Sequence, residues 1–173
     1  MIKQFASRVL LCVAFALLAS GGLFGGELLN NPAMDNMLKS WYGTQSVYLP
    51  SNWAVSAYGT NSYTFTSADG GGSRGWVPQI GVTANSGGAV ALAQILRSNP
   101  VGARYAVSVW ARSVSAPVTT FYCSFANEAG NITYLWRNFR ATTSWQQYTF
   151  VWTWSADLPS SARFRVGMGS PVT

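Results

Sequence analysis

Short stretches in which apolar and polar side chains alternate run along most of the chain, and they predict an all-β protein. Successive residues of a strand point to opposite faces, so alternation marks strands that have one buried face. Together with clusters of β-branched and aromatic residues, the pattern predicts strands at 45–49, 52–58, 61–66, 76–83, 88–96, 103–113, 117–127, 131–140, 146–154 and 161–168. Many short strands at this spacing are typical of an antiparallel β-sandwich.

The same period of two separates a core face from a mixed face on three of these strands. The predicted core side chains are Tyr105, Val107, Val109 and Ala111 in 103–113, Thr119, Phe121, Cys123 and Phe125 in 117–127, and Tyr148, Phe150, Trp152 and Trp154 in 146–154. Cys123 is therefore predicted to be a small buried hydrophobe. The opposite faces are rich in hydroxyl groups and also carry Trp110, Arg112 and Tyr122. A ligand is expected on this mixed face.

The first 21 residues have the composition of a secretory signal peptide. Lys3 and Arg8 make the start basic, an apolar run follows at 9–18, and small residues lead out of it. We predict a signal helix in residues 1–21, a single β-sandwich domain in residues 22–173, and a secreted or cell-surface location. The alternative is an uncleaved membrane anchor, although a spanning helix needs roughly 20 apolar residues. No stable membrane insertion is expected after the signal is removed.

The stock of titratable side chains argues against acid–base catalysis. The chain has no histidine, and its five carboxylates are Glu27, Asp35, Asp69, Glu128 and Asp157. Glycoside hydrolysis needs two carboxyl groups roughly 5 to 9.5 Å apart. The candidates for such a pair, Glu128 and Asp157, lie at predicted turns. The sequence therefore predicts a protein that is not an enzyme and that needs no cofactor.

The positive charge of the chain is spread out. The formal net charge of +6 falls to +4 when Lys3 and Arg8 leave with the signal peptide. The remaining basic residues are nearly all arginines, scattered singly along the predicted strands. Scattered charges keep a surface soluble, whereas a nucleic-acid-binding arm carries them in a run. We expect no nucleic-acid partner.

Three stretches follow one another in order along the chain: residues 28–35 (LLNNPAMD), residues 92–112 and residues 143–150 (TSWQQYTF). In that order they resemble the opening, a turn with the core strand after it, and a later strand with its tryptophan in jelly-roll carbohydrate-binding modules of families four, nine and twenty-two. The resemblance implies a galactose-binding-domain-like jelly roll that binds a polysaccharide or other glycan without catalysis. The same opening also resembles modules of phage tail fibres. A structural or assembly protein of a virion or cell envelope is therefore the alternative.

The sequence departs from these modules at its C-terminus. Such modules usually end in a further strand, which pairs with the N-terminal strand and helps to hold a structural calcium ion. The sequence stops at Thr173, and Asp35 is the position of the opening motif that the resemblance links to that calcium. No metal site is predicted. Either the natural protein continues beyond this point, or the strand that contains Leu28 and Leu29 has an unpaired edge. In the second case the mature chain is predicted to self-associate through this edge or to receive a strand from a partner.

A glycan site needs a flat aromatic ring beside polar side chains, because sugar rings stack on aromatics while amides and guanidinium groups bind their hydroxyls. Trp110 stands beside Arg112 and Tyr122 on the mixed face. The resemblance adds Gln94, an amide from a neighbouring strand. Trp136 with Tyr134 is expected to form one wall of the site. The predicted ligand-binding residues are Gln94, Trp110, Arg112, Tyr122, Tyr134 and Trp136. The alternative is that Trp110 and Trp136 are ordinary packing residues.

Overall fold

A computed structural model describes residues 7–12, 37–42, 45–59, 61–69, 76–85, 87–97, 101–114 and 117–169 of the 173-residue chain. The regular elements of these residues are all strands. They are β1 (Ser7–Cys12), β2 (Met37–Tyr42), β3 (Gln45–Pro50), β4 (Ala54–Tyr58), β5 (Asn61–Asp69), β6 (Trp76–Asn85), β7 (Ala89–Leu96), β8 (Arg104–Ser113), β9 (Val118–Ala126), β10 (Thr133–Thr142), β11 (Gln146–Thr153) and β12 (Ala162–Gly169). Each strand predicted from residue 45 onward is present, whereas β2 was not predicted.

The strands form two five-stranded antiparallel sheets and a hairpin. Sheet A has the strand order β11-β8-β1-β6-β5, sheet C has the order β10-β9-β12-β7-β4, and sheet B is the β2–β3 hairpin. One core joins the two large sheets, since Phe125 of β9 lies edge-on to Trp152 of β11 with ring centroids 4.1 Å apart. The predicted antiparallel β-sandwich is confirmed.

The side chains that the alternation assigned to the core are buried, apart from Tyr148, which is half-buried and packs against it. Val107, Val109 and Phe125 are fully buried, and so is Cys123, whose thiol has a pKa raised by that burial. The predicted role of Cys123 as a small buried hydrophobe is confirmed. Trp53, which the sequence pattern did not place, also lies in the core.

Strand β1 lies in the middle of sheet A. It pairs on one edge with β6, where Val9 is opposite Ile80, and on the other with β8, where Val9 is opposite Ser113. Residues 7–12 thus form a strand where the sequence predicted part of a signal helix. An apolar run can form either a helix or a strand, and here the backbone of β1 pairs with a neighbouring strand on each side. The rest of the predicted signal, and the strand with Leu28 and Leu29, lie outside the described residues.

Candidate functional site

The residues predicted to form one binding cluster lie on two opposite faces of the sandwich. Trp110 follows the core residue Val109 on β8, and Tyr122 follows the core residue Phe121 on β9. Both therefore point away from the core, but β8 belongs to sheet A and β9 to sheet C. Arg112 lies on the same side as Trp110. The expectation that these side chains share one face was wrong, because alternation sorts residues within a strand and does not say which strands are neighbours.

On the outer face of sheet A, Trp110 and Arg112 belong to a small packed group. Trp110 packs with Ala68 and Trp145 against the fully buried Val77. The guanidinium carbon of Arg112 lies 5.4 Å from the centre of the Trp145 ring, within the range of a cation–π contact. The Nε of Arg112 is buried and finds no hydrogen-bond partner among the described residues. These contacts agree with the alternative that Trp110 is an ordinary packing residue. A ligand role for Trp110 and Arg112 stays a prediction.

The outer face of sheet C carries a row of side chains that crosses all five strands. From β4 to β10 the residues in register are Ala54, Ala93, Arg165, Ser124 and Trp136. Neighbouring strands lie about 4.8 Å apart, so the row is roughly 19 Å long. Trp136 ends the row and is 42% exposed. Tyr134 is half-buried at an irregularity in the β9–β10 pairing.

A glycine makes room for Tyr122 on this face. Gly167 on β12 is in register with Tyr122 on one side and with Ala91 of β7 on the other. Tyr122 nevertheless packs against Ala91, so its side chain crosses β12 where a glycine sits. A Cβ at Gly167 would lie 2.5 Å from the Cβ of Ala91, too close for any side chain. Tyr122 is only 1% exposed, and burial raises its pKa far above the ordinary value.

Arg165 is buried in the middle of the same face. It is 1% exposed and donates from Nε to Ser124 Oγ at 3.0 Å, from Nη1 to the carbonyl oxygen of Gly130 at 3.1 Å, and from Nη2 to Thr133 Oγ1 at 2.6 Å. Burial lowers the pKa of Arg165, and the positive charge of Arg163 lowers it further. The charged groups that act on Arg165 include no carboxylate among the described residues.

The loop between β9 and β10, residues 127–132, folds over this face. Asn127 fixes its shape, because its Oδ1 accepts from the backbone N–H groups of Asn131 and Ile132. At the tip, Gly130 has a positive φ of 78°. A Cβ there would lie 3.1 Å from Nη1 of Arg163 and 3.6 Å from Oγ of Ser56. The loop therefore reaches from β9 across β12 to β4.

A cleft of about 370 Å³ opens beside this loop, at the end of β7 and the start of β4. It is lined by Asn52, Ala54, Val55, Ala93, Gln94, Ile95, Arg97 and Arg163. The predicted ligand residue Gln94 is among them, but it is only 6% exposed and its Nε2 donates to the carbonyl oxygen of Asn52 at 3.0 Å. Asn52 has a positive φ of 67°, so Gln94 stabilises the turn before β4.

The arginines of this region were not predicted from the sequence. Arg97 and Arg163 line the cleft, and Arg165 lies beside Arg163 on the same face of β12. The spacing of two residues between Arg163 and Arg165 was a usable signal, because it puts both on one face of a strand. Their scatter along the chain was instead interpreted as a property of a solvated surface.

A family model matches most of the chain. The model, described as "Carbohydrate binding domain" (CBM_4_9), covers residues 26–173. The chain belongs to this family. The predicted resemblance to carbohydrate-binding modules is thereby confirmed.

Two solved structures are similar to this carbohydrate-binding domain, each at 17% sequence identity. One, described as "CBM4 structure and function", has a TM-score of 0.42, with 47% of this chain and 51% of that chain covered. The other is the enzymatically active domain of tailspike protein 4 of bacteriophage CBA120, with a TM-score of 0.47, 70% of this chain and 18% of that chain covered. The domain thus spans about half of one neighbour and less than a fifth of the other. No curated protein matches the chain significantly.

Two described carboxylates of the carbohydrate-binding domain, Glu128 and Asp157, lie on different loops. Glu128 is exposed in the β9–β10 loop and accepts a hydrogen bond from Ser161 Oγ. Asp157 is exposed in the β11–β12 loop, where a hydrogen bond from Ser155 lowers its pKa. Within the part of the chain that the structure describes, no three metal-ligating side chains come together and no helix is suited to cross a membrane. Asp35 lies outside the described residues.

Proposed function

We propose that this carbohydrate-binding domain holds a glycan on the outer face of sheet C, between Trp136 and the cleft. The observation that carries the proposal is the row of five side chains that crosses this face. It has an exposed aromatic ring at one end and a cleft of amide and guanidinium groups at the other. An aromatic ring beside polar groups is the combination that binds sugars, and the chain belongs to a family of carbohydrate-binding domains.

The two ends of the face would contribute different interactions. The ring of Trp136 would stack on the C–H face of a sugar, and Asn138, two residues further along β10, would bind hydroxyl groups beside it. The cleft starts at Ala93, three strands and about 14 Å from Trp136. A ligand that engages both ends is therefore an oligosaccharide or a polymer.

The role proposed for the domain is binding without catalysis, at the cell surface or outside the cell. The basic, apolar and small segments of residues 1–21 support export. The exposed loop positions of Glu128 and Asp157 support the absence of hydrolysis, because a glycosidase holds its two carboxyl groups on either side of one bond. Tyr122 would act as a buried floor beneath the ligand.

A glycan array probed with the full chain, followed by titration of the best binder, tests this proposal. Trp136→Ala and Trp110→Ala are a matched pair, since each removes one tryptophan from the outer face of a different sheet. We expect Trp136→Ala to weaken binding about tenfold, the equivalent of one aromatic contact, and Trp110→Ala to leave it within twofold. Circular dichroism checks that both variants fold. Binding to no glycan, or sensitivity to Trp110 alone, would overturn the proposal.

A further inference from the structure

Positive charge is concentrated on one face of the domain. Arg140, Arg163 and Arg165 lie on the outer face of sheet C, and Arg97 lines the cleft at its edge. Of the described carboxylates, Asp69 ends β5 of sheet A and Asp157 is on the β11–β12 loop. Glu128 is on the β9–β10 loop that folds over this face, where it accepts a hydrogen bond from Ser161. None of the three lies on a strand of sheet C. The outer face of sheet C thus carries guanidinium groups that no side-chain carboxylate of its own strands neutralises.

The buried layer on this face adds to the charge. Arg165 is buried with neutral oxygen acceptors from Ser124, Gly130 and Thr133. These three bonds engage three of its five N–H donors and leave its positive charge in place. Arg163, two residues away on the same face, adds a second charge. An anion on this face would lower the repulsion between them, because Coulomb interactions are strong where water is excluded.

Two guanidinium groups line the cleft, and its lining residues include no carboxylate. Arginine has five N–H donors and no acceptor, so Arg97 and Arg163 bring donors to the cleft. A sugar hydroxyl donates as well as accepts, whereas a carboxylate or sulfate oxygen only accepts. A cleft rich in donors therefore matches an oxyanion, which the planar guanidinium fork binds through paired hydrogen bonds.

We propose that the glycan held by this face is anionic, with carboxylate or sulfate groups bound in the cleft by Arg97 and Arg163. The inference rests on the proposed function and specifies its ligand class. The other lining residues are the amides Asn52 and Gln94 and four small or apolar residues, Ala54, Val55, Ala93 and Ile95. The cleft volume of about 370 Å³ leaves room for a bulky oxyanion.

The test compares glycans that differ only in charge. Titration calorimetry with the full chain uses an oligogalacturonate and its methyl ester as one pair, and dextran sulfate and dextran as the other. We expect the charged member of at least one pair to bind at least tenfold more tightly than its neutral partner, and its affinity to fall as salt rises. The pair that responds tells carboxylate from sulfate. Equal or tighter binding of the neutral members would overturn the inference.

Matched variants locate the charge effect. Arg97→Gln and Arg163→Gln each remove one guanidinium group from the cleft. The control Arg104→Gln removes an exposed guanidinium group at the start of β8 in sheet A. We expect each cleft variant to weaken binding of the charged glycan about tenfold and Arg104→Gln to change it less than twofold. If Arg163→Gln fails to fold, Arg97→Gln still tests the inference, because the Arg97 side chain is exposed and its replacement should not disturb folding. Equal losses in all three variants would mean that only net charge matters, and would overturn the inference.

Two further outcomes separate this inference from the proposed function. If neutral glycans bind in a manner that depends on Trp136 and not on Arg97, the proposed function stands and the anionic ligand is wrong. If no glycan of either kind binds, the proposed function itself fails. Single-stranded DNA serves as a polyanion without sugar carboxylates or sulfates. Binding of DNA as tight as that of the charged glycan would contradict recognition of an anionic glycan.

Discussion

The outer faces of the two sheets differ although both alternate in sequence. On β11, an edge strand of sheet A, Gln147, Thr149 and Val151 are exposed to solvent. In the middle of sheet C, Tyr122 and Arg165 are each 1% exposed, although they too point away from the core. An outward face is therefore not always a solvated face. On sheet C it is a second packed layer, made of polar and aromatic groups.

Such a layer is costly unless its polar atoms are paired. Transfer of a charged group from water into a protein interior costs several kcal/mol, and hydrogen bonds recover only part of that cost. Arg165 makes its three side-chain bonds to β9, to the β9–β10 loop and to the first residue of β10. The guanidinium thus ties the loop to the sheet. On the outer face of sheet A, Arg104 is exposed, and Arg112 is only partly buried with its guanidinium against the ring of Trp145.

The sheets also differ in where their strands come from. Sheet C is built from residues 54–169, whereas the central strand of sheet A is β1, from residues 7–12. Removing residues 1–21, as cleavage of the predicted signal would do, takes away one of the two neighbouring strands of β6 and one of the two of β8. We expect the shortened chain to lose more than about 3 kcal/mol of unfolding free energy, or to self-associate so that another strand fills the position.

Sedimentation and thermal unfolding of the full chain and of residues 22–173 check this. An added peptide with the sequence of residues 7–12 should restore the stability of the shortened chain, and a scrambled peptide should not. A monomer of unchanged melting temperature without any peptide would show that β1 contributes nothing to sheet A.

The next largest effect is expected for Arg165. Arg165→Met keeps much of the side-chain volume but removes three hydrogen bonds and leaves the Gly130 carbonyl and two hydroxyl groups without their donor. We expect a loss of about 2 kcal/mol, against less than about 0.5 kcal/mol for the exposed control Arg104→Met. Urea unfolding measures both. A neutral or stabilising Arg165→Met would mean that the buried polar layer of sheet C is dispensable for folding.

The sequence predicted the fold more completely than the candidate site, for a physical reason. Alternation within β8 and β9 correctly separated Val109 and Phe121 from Trp110 and Tyr122, because it follows from the geometry of one strand. The site depends on which strands are neighbours, and that order arises from long-range pairing. Trp136 and Gln94 were chosen and lie at the face and the cleft of sheet C. Arg163 and Arg165 were missed, because their burial and their contact with the loop appear only after the strands have paired.

A smaller effect is expected for the tyrosine in the buried layer. Burial raises the pKa of Tyr122 above its ordinary value of 10.0, so folding favours the protonated phenol. The contribution of the protonated Tyr122 to the free energy of unfolding is fully present below pH 10 and is lost as the pH rises above that value. At pH 11 the wild type should have lost about 1.4 kcal/mol more than Tyr122→Phe. Other groups with raised pKa values, such as Cys123, are common to both proteins, so the difference isolates Tyr122. Equal pH profiles would contradict its burial.

The smallest effect is expected on sheet A, at Arg112. Its guanidinium lies over the ring of Trp145, a contact that contributes about 0.5 to 1 kcal/mol, but its Nε is buried and finds no hydrogen-bond partner among the described residues. Arg112→Met removes the favourable contact and the unsatisfied donor together while keeping the stem against Trp145. The two changes should nearly cancel, so urea unfolding should shift by less than about 0.5 kcal/mol. Glycan binding should not change, because Arg112 lies on the face opposite Trp136. A tenfold loss of glycan affinity in Arg112→Met would instead place the binding site on sheet A.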